Sequence, residues 1–298
     1  MDFFKEQYSI KDLESFSGIK AHTIRMWEKR HDLLQPKRTE SNVRRYDENA
    51  FKRLMNVAFL NRNGYKISEL SHLDDHGLNR LVQKNSIDFE SSRQRYIQLL
   101  KIAMLQFDNP GIEAIYEELL EKYSMRDVFL EILVPFLKNI GLLWQTQSIN
   151  PAHEHFVSNW IRKKLLAQID LAQRQNQPKT DRTYVMFLPE QEIHDLGLLF
   201  IYHQLIAEGY QCIYLGYSLP TKYLNDLARR YMDIRFISYF SIHPENPEAF
   251  LNEFHEEIGK NYSCKLWLLG KQTEQLNKDN LRNYCKVYDN IPEILNAI

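Results

Sequence analysis

Apolar positions along this chain follow three successive rhythms. In the first, short helical stripes are separated by turn residues. Ile10, Leu13 and Phe16 share one face of a helix over Ile10–Phe16, with Ser9 as N-cap and Asp12 as an acidic first-turn partner. Ser17-Gly18-Ile19 makes a tight turn, and a second helix from Lys20 or Ala21 to about Lys29 buries Ile24 and Trp27. Helix, glycine-containing turn, helix is a helix-turn-helix pattern. Pro36 then forbids helix, and Glu40-Ser41-Asn42 reads as a turn between two short strands. Asp47 caps a helix to about Asn63, Gly64 stops it, and Ser68 starts another short one. Residues 76–90 are polar and mixed and read as a loose connection.

From Glu90 to about Gln175 the period is helical. Tyr96, Leu99, Leu100, Ala103, Met104 and Phe107 form one stripe, and Asn109-Pro110-Gly111 punctuates it. Ile112–Tyr123 and Val128–Leu142 are two more amphipathic helices. A polar loop from Trp144 to Pro151 precedes a last one over Ala152–Gln173. Four helices with short turns predict a bundle. Polar Gln173–Arg182, with Pro178, marks a boundary. Beyond it Thr183–Leu188, Gln211–Leu215, Ile234–Phe240, Lys265–Leu269 and Lys286–Tyr288 read as strands with helices between them, which predicts a flavodoxin-like doubly wound five-stranded parallel sheet. The expected class is multidomain, α and α/β, with domains over 1–75, 86–175 and 180–298.

A length of 298 residues suits two or three domains. With 44% apolar and 26% charged residues the composition is that of a soluble globular protein, and the net charge of −1 carries no overall nucleic-acid signal. The distribution does: residues 1–73 hold 14 Lys/Arg against 10 Asp/Glu, while the remainder holds 24 against 29. A basic end on an acidic body suggests a local polyanion-binding module. Cys212, Cys264 and Cys285 are far apart, each in a strand or at its start, so they read as small buried hydrophobes rather than as a disulfide or zinc set, and fit a reducing cytoplasm. No apolar run reaches the length of a membrane span, and Met1-Asp2-Phe3-Phe4-Lys5-Glu6 is no signal peptide.

The chemistry centres on Glu192-Ile193-His194-Asp195-Leu196-Gly197. It follows the strand Thr183–Leu188 and the break Pro189-Glu190-Gln191; helical spacing then runs from Ile193 to Ala207, with Leu196, Leu199, Phe200 and His203 on one face. His194 therefore falls at the carboxyl end of a strand, where open α/β sheets bind ligands. Gly197 lets something large approach the backbone. Glu192 is placed to hold one ring nitrogen of His194 and leave the other for a metal. Taken alone, the same stretch is an ordinary surface histidine at a helix start.

This stretch resembles the Asp-x-His-x-x-Gly signature of cobalamin-binding domains, whose His is the lower axial ligand of cobalt. Ser238-Tyr239-Phe240 stands where that family has Ser-x-Leu, and Leu269-Gly270 where it has Gly-Gly. Glu for Asp, Phe for Leu and the missing second glycine imply an altered nucleotide-tail pocket. The resemblance implies His194 as cobalt ligand, Glu192 and Ser238 as its relay, and Gly197 and Gly270 in the cofactor pocket.

At the other end, Thr23-Ile24-Arg25-Met26-Trp27-Glu28-Lys29-Arg30, Leu33-Leu34-x-Pro36-x-Arg38 and Arg44-Arg45-Tyr46-Asp47 resemble the winged helix-turn-helix of the MerR transcription-factor family over roughly residues 6–75. Ile24 and Trp27 read as core and Glu28 as locally paired. His22, Thr23, Arg25 and Lys29 on the second helix, with Arg38, Arg44 and Tyr46 in the basic wing segment, are the candidate DNA-binding residues.

Between the two ends, Trp144 followed nine residues later by Glu154-His155 resembles the Trp-x9-Glu-His motif of light-sensing MerR regulators of the CarH/LitR type. That likeness implies a helical cap over adenosylcobalamin, with Trp144 covering the adenosyl group and Glu154 and His155 beside it. The photosensors carry a His directly after the Trp; here it is Gln145. The whole implies a cytoplasmic transcriptional regulator, not an enzyme, whose partners are double-stranded operator DNA, RNA polymerase and further copies of itself as dimer or tetramer, and which uses no membrane. Two alternatives stand beside it: a regulator that has lost cobalamin and senses another ligand, and a corrinoid carrier module of a methyltransferase.

Overall fold

The computed structural model describes residues 7–39, 41–85, 89–145, 149–176, 178 and 182–298. It divides into two compact units, Met1–Asn159 and Trp160–Ile298.

The first unit opens with helix α1 (Ile10–Ser17), begun by a full capping box in which Ser9 and Asp12 satisfy each other's backbone amides. Gly18, in the left-handed region, ends it. Helix α2 (Ala21–His31) buries Ile24 and Trp27 as expected. Strands β1 (Lys37–Arg38) and β2 (Arg44–Arg45) form an antiparallel wing, with Lys37 opposite Arg45 and Arg38 opposite Arg44. Helix α3 (Glu48–Arg62) is capped by Asp47, and a short α4 (Ile67–Leu70) follows. A basic head with a buried core around Leu13, Phe16, Phe51 and Leu54 results.

The loose connection expected over 76–90 is instead mostly helix, α5 (Asp75–Asn85). Its polar residues face water while Leu78 and Val82, one turn apart, are buried. The Asp74 carboxylate accepts from the Gly77 amide at its start, and Arg53 of α3 holds Asp75 at 2.8 Å. Two apolar residues in a polar segment suffice because α3 supplies the other half of the interface.

Four helical segments follow: α6 (Phe89–Leu105), α7 (Asn109–Lys122), a third run from α8 (Met125–Asp127) through a π-turn at Val128–Leu133 into α9 (Val134–Gln145), and α10 (Pro151–Gln175). The π-turn buries Val128, Phe129, Ile132 and Leu133 together. On α6, Lys101 is buried beside Asn139 of α9, its Nζ donating at 3.0 Å; burial, then the nearby Arg62 charge, push its pKa down to about 8.

In the second unit β3 (Thr183–Phe187), β4 (Gln211–Gly216), β5 (Ile234–Tyr239), β6 (Cys264–Leu269) and β7 (Cys285–Val287) form a parallel sheet in the order β4-β3-β5-β6-β7. This is the flavodoxin-like order, with its switch point between β3 and β5. Helices α11 (Leu196–Ala207) and α14 (Ile291–Asn296) pack together, and α12 (Asn225–Arg230) and α13 (Pro247–Phe254) cover the core of Phe187, Phe236, Phe240 and Phe254. Helix α11 starts at Leu196 rather than Ile193, and is buried on every side from Leu198 to Ile206 instead of along one stripe. All three cysteines are free, and burial raises each thiol well above its ordinary range. No helix among the described residues is long and apolar enough to cross a membrane.

If α5 is an integral part of the head, Leu78→Ala should cost on the order of 2–5 kcal/mol, measured by urea unfolding. A connection without structure would lose almost nothing.

Candidate cofactor site and nucleic-acid interface

His194 stands in the loop between β3 and α11, at the switch point of the sheet. Its ring is 52% exposed, and its Nδ1 lies 2.6 Å from Oε1 of Glu192, whose side chain is completely buried. The same oxygen accepts from the backbone amides of Ile193 and His194, both at 2.9 Å. The other oxygen accepts from three successive amides in the loop after β5: Ser241 at 3.1 Å, Ile242 at 2.7 Å and His243 at 2.9 Å. Burial alone would raise the carboxyl, but the His194 ring and the amides of His243, Ile242 and His194 outweigh it and hold it down to about 2. A permanently ionised carboxylate on Nδ1 orients the ring and makes Nε2 the nitrogen suited to a metal.

Asp195, next in the chain, is 2% exposed and equally fixed. Arg162 of α10 donates to it at 2.7 Å and the Tyr214 hydroxyl at 2.9 Å. Arg162 also lies over the Tyr217 ring, 5.7 Å from its centroid. Three residues later, the large group approaching Gly197 is the chain's own Tyr239: a Cβ built at Gly197 would sit 2.7 Å from that ring. Gly270, at φ +109°, lies so close to the Phe240 backbone that a Cβ would be 2.5 Å from its carbonyl oxygen.

One expectation at this site is corrected by burial. Ser238 takes no part in the relay; it pairs in register with Phe187 and Leu268 on the α12/α13 face of the sheet, and its buried hydroxyl has no partner among the described residues. Its place beside Glu192 is taken by the Ser241–His243 amides. Backbone donors leave no signature in residue type, so sequence could not announce them. The Arg162–Asp195–Tyr214 set was also missed, since its members lie on three separate elements.

In the first unit, Glu154 and His155 lie in the first turn of α10, with Oε2 of Glu154 3.3 Å from the His155 ring; His155 is exposed and Glu154 half-buried. The backbone of Trp144 and Gln145 ends α9, and their side chains lie outside the described residues.

The head gathers its basic residues on one side. Arg25, Lys29, Arg38 and Arg44 line an open groove of about 520 Å³ between α2 and the wing, together with Glu28 and Asp32. His22 is exposed and Thr23 half-buried on the same helix. Arg44 donates to Glu28 at 3.0 Å, and the Tyr46 hydroxyl donates to the other oxygen of that carboxylate. Tyr46 is fully buried, so it is corrected from a DNA contact to a strut: through Glu28 it ties the wing to α2.

Two family models match this chain, both on residues that precede the sheet. Residues 8–76 match the MerR HTH family regulatory protein model and residues 96–167 match a B12 binding domain model. A MerR-type helix-turn-helix followed by a B12-binding match supports a cobalamin-linked DNA-binding regulator. In particular the chain is similar to the HTH-type transcriptional repressor CarH of Myxococcus xanthus, 26% identical over 250 residues that cover 82% of this chain and 81% of that one. The fold is also that of the monomethylamine corrinoid protein of Methanosarcina barkeri, at a TM-score of 0.56 and 14% identity over 69% of this chain and 97% of that one.

Arg38 is exposed, with its guanidinium bonded to Asn42, and a comparison of its loss with that of Arg25 tests the expected DNA docking. Arg38→Ala should weaken binding to all DNA and flatten its salt dependence by about one unit of slope. Arg25→Ala should lose discrimination between operator and random DNA, on the order of 1–3 kcal/mol. Gel shifts across a salt series read both, and equal behaviour of the two variants would contradict this docking.

Proposed function

We propose that cobalamin sets the assembly of this regulator, and that assembly sets operator binding. The observation that carries this reading is His194, half-exposed at the switch point and oriented by an ionised, fully buried Glu192. A single imidazole supplies one bond. That suits a metal arriving with its equatorial positions filled, and among the described residues no group of three or more His, Cys, Asp or Glu is arranged to hold a bare ion. Ile193, Tyr217 and Ile242, exposed apolar side chains on the loops around His194, would suit a large macrocycle. The residues present therefore fit the group, with His194 as lower ligand and Glu192 as its orienting partner, while Gly197 and Gly270 are met by Tyr239 and Phe240 of the chain itself.

The domains act as 1–75 for DNA, 86–175 as helical cap and 180–298 for the cofactor. The α5 segment is too short to serve as a long dimerisation helix, so subunit contacts fall to the cap and the sheet domain. Cofactor occupancy then sets how many DNA heads bind together, by effective concentration. Dimer or tetramer, contact with RNA polymerase, the cytoplasm as compartment and regulation rather than catalysis complete the reading.

His194→Ala should abolish or greatly weaken cobalamin uptake while leaving the fold intact, and binding by the unmodified chain should fall in acid as the imidazole protonates. Absorption titration and thermal melting check this. A variant with the same corrinoid spectrum would remove His194 from the role, and a colourless protein that gains no spectrum with added cobalamin would favour a regulator that senses something else.

Adenosylcobalamin is the proposed form, with Trp144 over its upper face and Glu154 and His155 nearby. With that form bound, light would supply the trigger, and Gln145 would be a poorer cobalt ligand than the imidazole that the photosensors carry at this position. The lit state should hold its cobalamin loosely. Illumination followed by desalting should strip the corrinoid, and Gln145→His should retain it. A stable bis-histidine spectrum in the unmodified chain would overturn this.

A further inference from the structure

Four places at the carboxyl edge of the sheet, where His194 stands, are not equally fixed. The Glu192 side is locked by amides from two loops. The Asp195 side is locked by Arg162 and Tyr214. The Gly270 side is closed by backbone, with Phe240 pressed against a glycine whose φ is +109°. The remaining side is Gly197, and there the contact is a ring alone. Tyr239 lies flush on the Gly197 backbone, and its hydroxyl makes no hydrogen bond among the described residues. Tyr214, by contrast, is pinned to Asp195. Tyr239 is thus an aromatic group beside the ligand loop whose ring no hydrogen bond or ion pair holds among the described residues.

The cofactor's own chemistry gives that side a purpose. In free cobalamin the benzimidazole base of the nucleotide tail occupies the lower cobalt position. If His194 takes that position, the base is displaced, and its tether keeps it on the His194 side, where the sheet domain must receive it. We infer that Tyr239 is the gate for this tail. It fills the space over Gly197 when no corrinoid is bound and swings out to admit the nucleotide, so the chain discriminates against corrinoids with a bulky lower tail. This rests on the cobalamin reading above. Glycine at 197 is required either way, because a Cβ there would collide with the closed ring.

The test compares aquocobalamin with cobinamide, a corrinoid without the nucleotide tail, by absorption titration of the full chain. A closed gate populated as the major state lowers apparent affinity by the open fraction, so Tyr239→Ala should tighten cobalamin about 10-fold or more while cobinamide shifts by less than about 3-fold. Tyr239→Phe keeps the ring and should resemble the unmodified chain. Tyr239→Leu, which retains apolar bulk, should shift in the same direction as alanine if the alanine variant does not fold. Parallel shifts for both corrinoids, or weaker cobalamin binding in Tyr239→Ala, would overturn the gate and leave the cofactor assignment standing. An unmodified chain that binds neither corrinoid would overturn the cofactor assignment, and the gate with it.

Discussion

The cofactor half of this protein depends on a buried charge. The carboxylate of Glu192 has no contact with water and would be strongly disfavoured as an ion in the protein interior. It remains ionised because two loops turn their amides toward it: its own loop after β3, and Ser241–His243 after β5. The dependence is mutual, since those amides would be orphaned without the carboxylate. One side chain therefore fixes the separation of two strand ends at the switch point, the direction of the His194 ring, and the register at which α11 can begin. The late start of that helix, at Leu196, follows from residues 192–195 being committed to this arrangement.

The head uses the same device on a smaller scale. Glu28 on α2 takes the Arg44 guanidinium on one oxygen and the Tyr46 hydroxyl on the other. With its side chain 8% exposed, the carboxylate is screened from water and worth more than a surface ion pair. It couples the helix that presents Arg25 and Lys29 to the wing that presents Arg38. In both halves one acid screened from water sets the geometry of the side chains around it.

Glycine and aromatic residues carry the opposite kind of information. Gly197 and Gly270 mark close approaches, but what approaches is protein: the Tyr239 ring and the Phe240 backbone. A glycine in a motif states that space is needed and says nothing of which atoms fill it. Phe240 is also the residue by which Ser238-Tyr239-Phe240 differs from its expected Ser-x-Leu pattern, and Tyr239 fills the position that the pattern leaves open. The departure visible in the sequence acquires meaning only from the ring's position.

Much of the architecture was legible because periodicity is a local property. The helices of the head, the four helical runs after residue 89 and all five parallel strands follow from the spacing of apolar residues, and the pairing of Glu192 with His194 follows from their separation by two positions. What sequence could not supply was non-local. Helix α5 looked like a linker because α3 provides half of its apolar interface. Tyr46 looked like a DNA contact because a tyrosine beside arginines is amphipathic, and only packing against the head decides which end is buried. Ser238 was misplaced because strand alternation assigns its face only once the sheet's two sides are known. Residue type and spacing determine which groups are available; which groups meet depends on contacts between segments far apart in the chain, and those are settled by burial and by the need of every buried polar atom for a partner.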